Sequence, residues 1–218
     1  MAPVSLTYYS DVLCVWAHLA QARVDEVLQN FGDQVRVDYR FCSVFGDTAY
    51  KIGQGWEAKG GYAGFNAHLQ EVAAQFGELD LHPDLWLTVR PPSSTSAHLV
   101  LKAVSRIDPA ALPDLLVRFR HGFFREGRDV SRWPVQRDLL RGSGLTADAV
   151  REQIDEGMAF AALEADQRDM AALRVQGSPT FLLNDGRQTL YGNVGYRIIE
   201  ANIRELLQSP TAGSASWC

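Results

Sequence analysis

The residues of this chain that are suited to chemistry begin with Cys14. It sits where an alternating apolar segment, Val4 to Tyr9, gives way to a helical period, so its sulfur belongs at a helix N-terminus on the C-terminal side of a strand. Unpaired N–H groups and the positive end of the helix dipole favour thiolate over thiol there, which is what a nucleophilic cysteine needs. A small, inert core cysteine is the competing reading. Position decides for the nucleophile, because α/β folds bind ligands at the C-terminal ends of their strands. His18, four residues on, shares a helix face with Cys14, where an imidazolium would support a thiolate; a packed or solvent-facing histidine is the preferred reading. Cys42 closes a second strand on the same side, yet strand ends stand too far apart for a disulfide without backbone movement, so it reads as structural rather than resolving. Cys218 reads as an incidental thiol on a mobile tail. Ser178-Pro179 precedes a third strand. On its own it reads as a trans turn, whereas a cis bond would present a backbone edge beside the Cys14 helix.

The elements that must position these groups follow from period and punctuation. Val4 to Tyr9 and Val35 to Phe41 alternate as strands, and between them apolar residues recur at helical spacing from Cys14 to Phe31, with Gly32 as the stop. This is one βαβ unit. A Gly-rich stretch runs from Cys42 to Gly64. The helical period then predicts helices over Phe65 to Phe76, Thr95 to Arg106, Leu112 to Phe124, Pro134 to Arg141, Ala147 to Glu156 and Met158 to Leu173. Thr180 to Leu183 and Gln188 to Tyr191 flank Asn184-Asp185-Gly186, a hairpin signal, and Tyr196 to Leu207 is a last amphipathic helix. The order is βαβ, helical block, ββα, with both β-containing ends in one sheet. Within the block, Trp56, Tyr62, Phe65, His68, Trp86, His98, Phe123 and Phe124 are mostly core by their spacing; some could line a cleft between block and sheet.

Composition narrows the function. The 218 residues fit one domain with an insertion or two small domains, and 46% hydrophobic with 22% charged residues supports a packed core. A net charge of −5 argues against nucleic acid as the partner. No apolar run of membrane-spanning length occurs and Met1 to Ser10 reads as a strand rather than a secretory leader, so a cytoplasmic protein is expected. The three cysteines form no CxxC pair and no zinc spacing, and neither do His98 and His121, so no metal site is expected and any cysteine chemistry rests on single thiols.

The segment Tyr9-Ser-Asp-Val-Leu-Cys14-Val-Trp-Ala17, a helical insertion, and Val175-Gln-Gly-Ser-Pro179-Thr-Phe-Leu-Leu before a closing hairpin and helix resemble the DsbA-like branch of the thioredoxin superfamily. Among its members the chain is most similar to the FrnE-type proteins, the kappa-class glutathione transferases and the 2-hydroxychromene-2-carboxylate isomerases. Ser94-Thr-Ser-Ala-His98 and Phe123-Phe-Arg-Glu-Gly-Arg-Asp-Val130 resemble motifs of the family's insertion. The resemblance spans about residues 5 to 207. It implies an α/β, thioredoxin-like fold (βαβ and ββα) with a large α-helical insertion: residues 2–45 and 174–208 form the thioredoxin-like domain, 46–173 the insertion, and 209–218 a flexible tail. It also implies a cis Pro179 facing Cys14.

Two departures from the family bear on activity. Redox members carry CxxC, whereas here Ala17 replaces the second thiol, so no dithiol cycle operates at that motif and a mixed disulfide on Cys14 needs an outside thiol. The glutathione-using relatives have serine at the position of Cys14 and hold the γ-glutamyl end with a Ser-Asp pair, for which Tyr191-Gly-Asn193-Val-Gly195 retains only Asn193. The leading expectation is a thiol-dependent oxidoreductase with Cys14 as nucleophile. Trp16, Ala17, Ser178, Pro179 and Asn193 would bind substrate or glutathione, and His18 and His98 would support them. A glutathione-dependent transferase or isomerase and a non-catalytic binding module are the alternatives. No cofactor is required, with glutathione as the implied cosubstrate. The expected partners are small thiols or disulfides, an aromatic substrate or protein thiols, with neither nucleic acid nor membrane, and a homodimer is allowed.

Overall fold

A computed structural model of the chain describes residues 3–76 and 79–208. The expected tail at 209–218, with Cys218, lies outside the described residues. Four strands form one mixed sheet in the order β2-β1-β3-β4, with β1 Val4–Ser10, β2 Val35–Phe41, β3 Thr180–Leu183 and β4 Gln188–Tyr191. β1 and β2 run parallel from Val4↔Val35 to Ser10↔Phe41, joined by helix α1, Val15–Phe31. β3 returns antiparallel to β1, with Tyr9 opposite Thr180, and this brings Ser178-Pro179 beside the start of α1. The hairpin to β4 turns through Asn184, Asp185 and Gly186, all at positive φ, the backbone state that its Asn-Asp-Gly sequence favours. Asn184 also accepts the Ser5 N–H through Oδ1 at 3.0 Å, which ties the turn to the first strand.

Between β2 and β3 the described residues form six α-helices: α2 Gly61–Gln75, α3 Thr95–Ile107, α4 Leu112–Phe124, α5 Trp133–Leu139, α6 Ala147–Asp155 and α7 Met158–Ala172. Helix α8, Tyr196–Gln208, closes the described chain. Every helix expected from periodicity is present, with ends shifted by a few residues. The Gly-rich stretch differs. It holds a π-helical turn at Ala49–Gln54 and a 3-10 turn at Glu57–Lys59, and α2 begins four residues before the apolar period does. Tertiary bonds impose this: the Thr48 hydroxyl donates to the Pro91 carbonyl at 2.7 Å and the Thr48 N–H to that of Pro92 at 3.1 Å.

One apolar core runs through sheet and helices, including Leu6, Tyr8 and Phe181 from the strands and Leu116, Phe119 and Phe123 from α4. Trp86, Phe123 and Phe124 are fully buried, the packing that their spacing predicts. The fully buried Asp166 of α7 pins the insertion to the sheet. It accepts the Phe41 N–H at 2.9 Å and meets Arg40 at 3.0 Å and Lys102 of α3 at 2.5 Å.

Candidate active site around Cys14

Cys14 is the N-cap of α1, in extended conformation, and its carbonyl accepts the Ala17 and His18 N–H groups at 3.0 Å each. Cys14 is 4% exposed and its S–H donates to the Ser178 carbonyl at 3.4 Å. The Ser178-Pro179 peptide bond is cis. Ser178 also accepts the Asp11 N–H on its hydroxyl at 2.9 Å, so the loop before β3 and the loop after β1 hold one another across the sulfur. In front of Cys14 opens a cavity of about 300 Å³. Trp16, Phe45, Trp56 and Phe65 give it aromatic walls, and Lys51, His68, Gln176, Ser178 and Tyr191 are its polar members.

The electrostatics of the sulfur differ from the expectation of a stabilised thiolate. Burial pushes the Cys14 thiol above its ordinary value. The Ser178 side chain and the N–H groups of Ala17 and Trp16 pull the other way, while the nearby Asp11 carboxylate adds to the rise. Desolvation outweighs the helix N-terminus because N–H groups at a helix end contribute only partial charges, whereas burial removes water from the whole anion. Cys14 therefore rests as a neutral thiol facing a cavity.

The β1–α1 loop is held by a buried network. Asp11, fully buried, accepts the Leu13 N–H at 2.9 Å, the Phe45 N–H at 2.8 Å and the Ser94 hydroxyl at 2.9 Å. Burial raises its carboxyl to about 6 in spite of these donors. His98 stacks on Phe41 and accepts the Val12 N–H on Nε2 at 3.1 Å, so that nitrogen carries no proton. Burial, then Arg120 and Lys102, hold its pKa down to about 3. Its contribution is to fix the loop that leads into Cys14. Cys42 is buried behind this loop, its N–H on the Ser10 carbonyl at 3.1 Å, in keeping with a structural role.

Of the other residues expected to bind or support, Trp16 and Ser178 line the cavity with Cys14. Pro179 is buried behind Ser178, and its carbonyl accepts the Gly192 N–H at 2.9 Å. Three placements correct the sequence expectation. The Ala17 side chain is fully buried and does not line the cavity; its N–H, on the sulfur side of the first turn, is what reaches Cys14. Asn193 is exposed and outside the lining, and Tyr191 from the end of β4 takes the place expected for it, because the chain turns away at Gly192. His18 lines a different cavity, stacked on Phe124, with burial and Arg120 lowering it to about 3, so no imidazolium supports Cys14. Asp11, Ser94, Lys51 and Tyr191 were missed as site residues. Ser10-Asp11 reads as a loop boundary in sequence, and a buried acid there shows only once Phe45 and Ser94 come within bonding distance.

The sheet order, the intervening helices and a cysteine capping the first helix opposite a cis-proline loop define a thioredoxin fold with a helical insertion. The profile of the DSBA-like thioredoxin domain matches residues 5–204, and the chain belongs to that family. Among solved structures it is similar to a probable DsbA oxidoreductase of Streptomyces coelicolor, with a TM-score of 0.74 and 22% identity over 99% of this chain and 94% of that one. The cytosolic disulfide reductase DsbM of Pseudomonas aeruginosa gives 0.66 and 21% over 92% and 98%, and DsbM has also been solved with GSH. A 2-hydroxychromene-2-carboxylate isomerase gives 0.66 and 18% over 97% and 100%. No curated protein matches the chain in sequence. Among the described residues no helix is long and apolar enough to cross a membrane.

Proposed function

We propose that the chain carries out thiol–disulfide exchange through Cys14 alone, with glutathione as the thiol that resolves it. One observation carries this reading: the only sulfur that the described residues bring to the cavity lining faces the Ser178 carbonyl, in the loop where a thiol-bearing peptide would lie alongside. In the forward step Cys14 attacks the glutathionyl sulfur of a mixed disulfide. A Cys14–glutathione disulfide forms, and the substrate sulfur leaves and takes up the proton that Cys14 loses. Glutathione then attacks the glutathionyl sulfur, releasing oxidised glutathione, and its proton returns to Cys14. The net change is a substrate thiol and oxidised glutathione from a mixed disulfide and reduced glutathione. Glutathione is the choice because Ala17 leaves the motif without a second thiol and because DsbM, of the same fold, is solved with GSH. The reading belongs to the cytosol, where glutathione keeps thiols reduced.

A second reading follows from the neutral state of Cys14. A protonated thiol is a donor, and its S–H could hold the thiolate of bound glutathione while an aromatic substrate stacks among Trp16, Trp56 and Phe65. Substitution separates the two. Incubation with oxidised glutathione and intact-mass analysis is expected to add one glutathionyl group to Cys14, absent in Cys14→Ser and Cys14→Ala. If wild type gains nothing at Cys14 while Cys14→Ser retains glutathione-dependent turnover of an aromatic substrate that Cys14→Ala loses, the donor reading replaces exchange. Peptide binding that survives alkylation, with neither activity, marks a non-catalytic module.

A further inference from the structure

A second cavity of about 250 Å³ lies between α1 and α4, lined by different residues from the Cys14 cleft. Its chemistry is basic. Arg120 of α4 is fully buried and at its base. One Nη of Arg120 donates to Gln21 Oε1 and the other to Ser10 Oγ at 2.8 Å, while Nε, also buried, has no partner among the described residues. Nor does any carboxylate among them pair with this guanidinium. The nearest along the bonded chain is Asp25, and Gln21 stands between, its amide N–H on Asp25 at 2.8 Å. Arg125 brings a second guanidinium to the rim. His18 and His121 meet edge to face at 5.8 Å between ring centres on the wall.

A buried charge without a counter-charge is costly, and low-dielectric walls direct its field into the open space beside it. His18 registers that field: after burial, Arg120 acts to lower it, and Arg125 does so too, while at His121 Arg125 acts after burial. On the lining itself two guanidiniums stand against the single carboxylate of Asp25, and Glu126, which opposes the shift at His121, is paired with Arg128 at 3.3 Å, so positive charge remains in excess.

We infer that this cavity is a binding site for a small oxyanion, of phosphate or carboxylate type, held by Arg125, His18 and His121 over the uncompensated charge of Arg120. The cavity takes a group of that size, and guanidinium and imidazolium N–H groups are strong donors to such oxygens. Binding brings a counter-charge to Arg120 and favours protonation of both imidazoles, so the anion enters with proton uptake.

The test is a titration with inorganic phosphate, and separately with succinate, at constant ionic strength kept with chloride. The imidazole C–H resonances of His18 and His121 report by NMR. One or both probes are expected to saturate these two resonances and raise their titration midpoints, with His68 and His82 unmoved. Which probe binds more tightly separates a phosphate site from a carboxylate site. Arg125→Gln removes an exposed side chain and should fold normally. It is expected to weaken binding about tenfold, the loss of one charge-assisted hydrogen bond. The inference is overturned if neither probe moves the two histidines at tens of millimolar, or if the response persists undiminished in both Arg125→Gln and His121→Ala.

Discussion

The chemical character of Cys14 is decided by what surrounds a single sulfur. A helix N-terminus and three hydrogen-bonding neighbours favour the anion, but burial and the Asp11 carboxylate prevail and the thiol is raised. Nucleophilic attack needs the thiolate, so exchange at neutral pH is limited by a small ionised fraction. The rate of Cys14 alkylation by iodoacetamide, followed by mass spectrometry, is therefore expected to keep climbing beyond pH 9. A plateau below pH 8 would show an activated thiolate and contradict this account. Asp11 is legible as a residue but not as a site member, because its bonds to Phe45 and Ser94 span 34 and 83 positions. Its two oxygens accept from groups that cannot all turn round, so Asp11→Asn places an amide against an N–H donor. The expected cost is about 1–3 kcal/mol in urea denaturation. An unchanged midpoint would mean that these bonds contribute little.

The individual elements were the most legible level of the molecule. Strict alternation in Val35–Phe41 and punctuation at Pro91-Pro92, Asp108-Pro109 and Gly142-Ser-Gly144 mark strands and helix ends by local rules that tertiary contacts leave intact. Residues 42–60 were less legible, because their π and 3-10 turns depend on Thr48 reaching Pro91 and Pro92 across the chain. The attachment of insertion to sheet was equally hidden: Asp166 looks like one more surface acid on α7 until Arg40, Lys102 and the Phe41 N–H converge on it. A buried ion pair broken on one side leaves the other charge stranded. Asp166→Ala is expected to cost about 3–5 kcal/mol, while Asp166→Leu combined with Lys102→Met recovers most of the loss. Equal destabilisation in the single and double variants would assign the effect to packing instead.

At the scale of the whole molecule these buried groups set how stability depends on pH, and they oppose one another. His18 and His98 are held near 3 in the folded state, whereas an unfolded histidine titrates near 6.5. Their contribution is complete above 6.5 and is lost as pH falls towards 3. Asp11, raised to about 6 against about 3.9 unfolded, works in the other sense: its contribution is complete below 3.9 and is lost as pH rises through 6. Around pH 5, among His18, His98 and Asp11, the unfolded chain holds two imidazole protons that the folded chain lacks, and the folded chain holds one carboxyl proton that the unfolded chain lacks; His121, lowered, and Asp166, raised, add further terms of opposite sign. The excess of one proton from His18, His98 and Asp11 contributes a rise of stability with pH of about 1.4 kcal/mol per unit there. Urea denaturation between about pH 4.5 and 5.5, in buffers free of phosphate and carboxylate so that the α1–α4 cavity stays clear of the ligands proposed for it, measures the slope. His18→Gln removes one of the two imidazole terms and is expected to lower the slope by about 1.4 kcal/mol per pH unit, while leaving the glutathionylation of Cys14 in place. A slope unchanged by His18→Gln would mean that His18 takes up its proton in the folded protein as readily as in the unfolded chain. Neither burial nor the Arg120 charge would then hold that imidazole neutral.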